Sequence, residues 1–79
     1  MYSTIYFNFL ELEKEFYQKI SAKTAQTEIT SFVENNILPN LAEIYNFSDK
    51  TNKFTLNYLN DKLYYYNYYI NKSKGMNYF

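Results

Sequence analysis

Glu11 and Glu15 stand one helical turn apart, the spacing at which two carboxylates can share a divalent cation. No second acidic pair at matching spacing completes a two-metal helical site, and Glu34 and Glu43 stand alone in the sequence. A solvated charged face is therefore the expectation for this pair, with no metal and no cofactor. The remaining chemistry is narrow. There is no His, Cys or Trp, and all 8 basic residues are lysines. His is the commonest acid–base group, and Cys and His are the usual zinc ligands. A single glycine excludes a glycine-rich phosphate loop. A Ser–Lys pair is possible by composition, but no spacing supports one. The sequence predicts a protein without catalysis.

What the chain has in quantity is aromatic surface: 11 tyrosines and 7 phenylalanines in 79 residues. That share argues for a packed chain rather than a disordered one. Each phenol also needs water or a partner for its hydroxyl, and the mean hydropathy is accordingly negative, −0.54. Tyr58, Tyr64, Tyr65, Tyr66, Tyr68 and Tyr69 crowd one stretch, LNYLNDKLYYYNYYI, residues 56–70. Leu56, Leu59, Leu63, Tyr66 and Ile70 give that stretch a helical apolar seam. Phe54, Tyr58, Tyr65 and Tyr69 project to a second side. Asn57, Asn60, Asn67 and Asn71, with Tyr64 among them, form a third. A helix with one seam needs one neighbour; this one has two sides that want covering, by another helix, a second copy or a different protein. Tyrosines at the edge of a core would also account for the pattern. Tyr58, Tyr64, Tyr65, Tyr68 and Tyr69 are the candidate partner-binding residues, because Tyr offers large contact area at low rotamer cost.

The elements that must position these residues read as helices. Ile5, Phe9, Leu12, Phe16 and Ile20 trace a stripe on a first helix starting near Ser3 or Thr4, either a candidate N-cap. Strand propensity over Tyr2–Phe9 competes, but the stripe is too long for a strand. Ser21–Thr24 is a break, with Thr24 the expected cap of a second helix striped by Ala25, Ile29, Phe32, Val33 and Asn36, flanked by Ile37. Pro39 predicts either a kink or a fourth short helix beginning there. Residues 47–52 form the clearest loop, with Ser48, Asp49 and Thr51 as candidate caps for a last helix over about residues 52–72. Gly75 is its stop signal and the tail after it is expected to be loose. The fold predicted is one all-α domain over residues 1–79, a small antiparallel bundle of three main helices.

Charge divides the chain. Residues 1–49 hold seven acids and three lysines, net −4; residues 50–79 hold five lysines and Asp61, net +4. The opposite signs could draw the last helix onto the rest or steer two partners to two faces. Lys50, Lys53, Lys62, Lys72 and Lys74, interleaved with tyrosines, supply the ingredients of a single-strand nucleic-acid surface. The absence of Arg counts against that, since Lys cannot make bidentate contacts. The first ten residues show no secretory signal and no run is long enough to span a bilayer, so a cytoplasmic protein is expected. The leading function is a non-enzymatic protein–protein binding module. Phages and other mobile elements use small cofactor-free proteins of this kind, the anti-CRISPR type among them, to block a host enzyme or defence complex. The expected partner is then a host protein, and the compartment the host cytoplasm. A second copy of the chain is a further candidate partner. A nucleic-acid binder and a self-assembling structural subunit are the alternatives.

Overall fold

The computed structural model describes residues 2–48 and 51–75, and these form an all-α bundle. Its elements are α1 (Tyr2–Ser21), α2 (Gln26–Phe32), a π-helical turn (Val33–Ile37), α3 (Leu38–Phe47) and α4 (Lys53–Ser73). α2, the π turn and α3 run on without a loop, so the bundle has three rods. One core joins them: Ile5, Phe9 and Phe16 from α1, Ile29, Val33, Ile37, Leu41 and Ile44 from the middle rod, and Leu59, Tyr66 and Ile70 from α4.

α1 begins at Tyr2, ahead of Ser3 and Thr4, so neither is its N-cap. Ile5, Phe9 and Phe16 of the predicted stripe are buried, while Leu12 is half-buried and Ile20, on the last turn, is 39% exposed. The helix is closed by the backbone. The Thr24 N–H donates to the Lys19 carbonyl at 3.0 Å and the Lys23 N–H to the Ile20 carbonyl at 3.0 Å, with Lys23 left-handed at φ 57°. This is a Schellman closure with lysine where glycine is favoured. It commits Thr24 to ending α1. The N-cap of α2 is Ala25, whose side chain makes no capping bond.

Ala25, the first residue of the predicted stripe, is exposed at the cap of α2, and the rod departs from the stripe again at Asn36, which is exposed, while Ile37 is fully buried. The cause is the π turn. The Leu38 N–H reaches back to the Val33 carbonyl, five residues earlier, and the wider turn swings Ile37 inward in place of Asn36. Asn36 is used instead on the backbone: its Nδ2 donates to the Phe32 carbonyl at 3.2 Å. The same turn resolves the proline. Pro39 lacks an N–H and its ring opposes a regular carbonyl four residues back. A π turn immediately ahead replaces the regular ladder there, and Leu38 keeps helical angles, φ −63° and ψ −44°. Pro39 therefore sits in the first turn of α3 within a continuous rod.

Ser48 ends α3 rather than starting α4: its Oγ donates to the Tyr45 carbonyl at 3.0 Å. Asp49, a candidate cap, lies outside the described residues, as does the tail after Gly75. The cap of α4 is Asn52, whose Oδ1 accepts from the N–H groups of Phe54 at 3.0 Å and Thr55 at 3.2 Å. Thr51 does not serve. Gly75 ends the helix as expected, at φ 75°, with its N–H on the Lys72 carbonyl at 3.0 Å. No helix among the described residues is long and apolar enough to cross a membrane.

Candidate functional site

α4 presents its aliphatic seam and Tyr66 to the core, and α1 covers much of its aromatic side. The two backbones stay apart and rings fill the interval. Tyr58 sits against Tyr6 at 5.6 Å and edge-on to Phe9 at 6.3 Å between ring centroids. Phe16, fully buried, meets Tyr65, Tyr66 and Tyr69 at 6.4, 5.1 and 5.2 Å, each near-perpendicular. These are edge-to-face arrangements that the ring quadrupole favours. Phenol hydroxyls extend the packing outward. The Gln26 Nε2 donates to the Tyr69 hydroxyl at 2.7 Å, and the Tyr17 hydroxyl to that of Tyr65 at 3.4 Å.

At the centre of this junction lies a polar group that the sequence did not mark. One Glu13 oxygen, Oε2, accepts from the Lys62 Nζ at 2.8 Å and from the Tyr66 hydroxyl at 2.7 Å. The Lys62 ammonium also lies 5.6 Å from the Tyr58 ring centre and 5.9 Å from that of Phe9. Burial, then the bond to Glu13, holds the Tyr66 phenol far above its ordinary pKa. The bond with Tyr17, then burial, raises Tyr65 to about 12, and burial raises Tyr58. Lys74 bonds Glu34 at 2.9 Å, a second tie between the basic C-terminal segment and the acidic first half. The opposite charges of the two halves thus join α4 to the rest of its own chain at two places.

The five candidate tyrosines divide accordingly. Tyr58, Tyr65 and Tyr69 help close the α1–α4 junction, although Tyr65 remains 41% exposed. Tyr64 and Tyr68 lie on the outer side of α4, one turn apart, stacked at 6.2 Å with their planes 26° from parallel. Tyr64 is 63% exposed. The lysine candidates divide too. Lys62 and Lys74 carry ion pairs, Lys53 and Lys72 are exposed with no ion pair among the described residues, and Lys50 lies outside them.

The other flank of α1 is unlike this one. Asn8, Glu11, Glu15 and Gln18 face Asn35, Asn36, Asn40 and Glu43 of the middle rod across a cleft of about 770 Å³. Glu43, isolated in the sequence, is thus brought to the same cleft as Glu11 and Glu15. Among the described residues no three acidic groups converge closely enough to hold a metal ion. Linear spacing could not reveal Glu43, because its neighbours come from another helix. Glu13 carried one faint signal: it falls beside Phe9 and Phe16 on the helix rather than opposite them. Compared with known proteins, the chain matches no family model, no curated protein and no solved structure.

Proposed function

We propose that this chain is a protein–protein binding module without catalytic activity, docking through the outer side of α4. The observation that carries this reading is the Tyr64–Tyr68 stack on the outer side of α4, with Tyr64 63% exposed. A stacked tyrosine pair with one exposed and one half-buried ring gives a rigid amphipathic contact area, the type of surface that partner recognition uses. Tyr65, at the border of the junction, extends the area toward Tyr17. A phage or mobile-element inhibitor, blocking a host enzyme or defence complex in the host cytoplasm, is the setting proposed for such a module. The nucleic-acid alternative rests on Lys53 and Lys72, since Lys62 and Lys74 are engaged with Glu13 and Glu34. Self-assembly through the same tyrosines is the third reading.

The test is a double variant, Tyr64→Ala with Tyr68→Ala, used beside wild type in affinity capture from the native host. The expected outcome is unchanged far-UV helicity with loss of the captured protein. Capture of the same protein by both forms overturns the assignment to this surface. Steeply salt-dependent binding to single-stranded probes favours the nucleic-acid reading instead.

A further inference from the structure

We propose that the outer side of α4 pairs antiparallel with the same side of a second copy of this chain. This names the partner of the tyrosine surface and so rests on the binding-module reading. Asp61, Tyr65, Tyr68 and Lys72 follow one another at spacings of 4, 3 and 4 residues. That is the repeat by which two helices pack along a shared seam. At about 100° per residue the four fall within about 60° of one another around the helix. None belongs to the core that the three rods share. Asp61 and Lys72 are exposed, Tyr65 is 41% exposed, and Tyr68 is half-buried and stacked on Tyr64.

The charges at the ends of the seam say what covers it. Asp61 is the only acid in residues 50–79, and neither it nor Lys72 has an ion pair among the described residues. The two stand equally far from a midpoint between Tyr66 and Asn67. A two-fold axis through that midpoint sets each Asp61 opposite the second copy's Lys72, and each Tyr65 opposite the second copy's Tyr68. An isologous contact requires this exchange, in which one residue meets another and is met by it in return. An unrelated protein makes no such symmetric demand on the face. Parallel pairing sets acid against acid and lysine against lysine, and a phosphate backbone meets Asp61 as repulsion. The rings supply contact area and the charges supply register. Tyr17, 48% exposed and bonded to Tyr65, widens the area onto α1.

The test is sedimentation equilibrium of the full chain at low salt, from about 10 μM to about 1 mM. The molar mass is expected to rise toward twice 9.6 kDa. Asp61→Lys and Lys72→Glu are each expected to weaken association about tenfold, because like charges then meet at both ends. Mixed in equal amounts, the two variants are expected to associate as wild type does, since acid again faces lysine at both ends. Far-UV circular dichroism checks that each variant keeps its helices. The neutral double variant Asp61→Asn/Lys72→Gln, which spares the helix end an added acid, is expected to weaken association and reduce its salt dependence. A monomer at every concentration overturns the proposal. So does a mixture that associates no better than its folded components, or a neutral variant of unchanged strength and salt dependence. A chain that stays monomeric, yet loses a captured host protein in Tyr64→Ala/Tyr68→Ala, overturns the second copy and leaves the binding-module reading standing.

Discussion

α1 has two flanks beside the core that all three rods share, and the contrast between them lies in the side chains that fill each edge. Toward α4, the long flat side chains of Phe9, Phe16, Tyr58, Tyr65 and Tyr69 cross the interval between the backbones. The Glu13 carboxylate there is held by the Lys62 ammonium and the Tyr66 hydroxyl. Toward the middle rod the helices pack closely through the core, and amides and carboxylates at Asn8, Glu11, Asn36, Asn40 and Glu43 leave an open cleft along its edge. The first flank is closed by rings; the second stays open to solvent and lined by polar side chains.

The largest blow to this contrast is Phe16→Ala. Phe16 is fully buried and touches three tyrosines of α4, so the variant is expected to lose about 3–5 kcal/mol in urea unfolding. Gln18→Ala on the cleft flank is expected to stay within about 0.5 kcal/mol. Equal losses from both would mean that the two flanks share the load. Glu13→Ala comes next. It strands the Lys62 ammonium and the Tyr66 hydroxyl at a mostly buried place, for an expected cost of about 2 kcal/mol. Glu34→Ala breaks an exposed pair with Lys74 and is expected to cost under about 1 kcal/mol.

The mildest test is alkaline pH, which sharpens the comparison because the raised phenols all lie on the α4 flank. A tyrosine is neutral when protonated, and Tyr58, Tyr65 and Tyr66 hold their protons more firmly when folded. Above pH of about 10 the unfolded chain releases protons that the folded chain keeps, so stability falls as pH rises. Denaturation midpoints are expected to be unaffected by these phenols below that point. They are expected to decline from there up through about 12, where folded Tyr65 itself titrates. Tyr66→Phe is expected to flatten the decline. A decline equally steep in that variant would place the sensitive groups elsewhere.

The sequence carried α1 and α4 well because both are long and their apolar spacing is regular. Ile5, Phe9 and Phe16, and Leu59, Tyr66 and Ile70, are buried as that spacing predicts. It failed where the helical repeat itself changes. Projection at a constant repeat placed Asn36 on the stripe with Ile37 only flanking it; across the wider turn Ile37 is buried and Asn36 exposed. Capping was misassigned at Thr24 and Ser48 because several polar residues compete in each loop, and backbone closure of the preceding helix claimed both. Of the candidate surface, the tyrosine cluster was visible in composition. Its division into rings facing α1 and rings facing outward was not, because that depends on where α1 lies. The cleft was hidden for the same reason, its carboxylates being split between helices.

The π turn leaves the middle rod with one residue of slack. Removing a residue from an ordinary helix swings everything downstream to a new bearing; removing one between Val33 and Ile37 would restore the common pitch and leave Leu41 and Ile44 still facing inward. The penalty would then fall on Pro39, newly confronted by a carbonyl that the loose winding now spares it. The proline and the extra residue ahead of it are best regarded as one inseparable unit, each tolerable because the other is present.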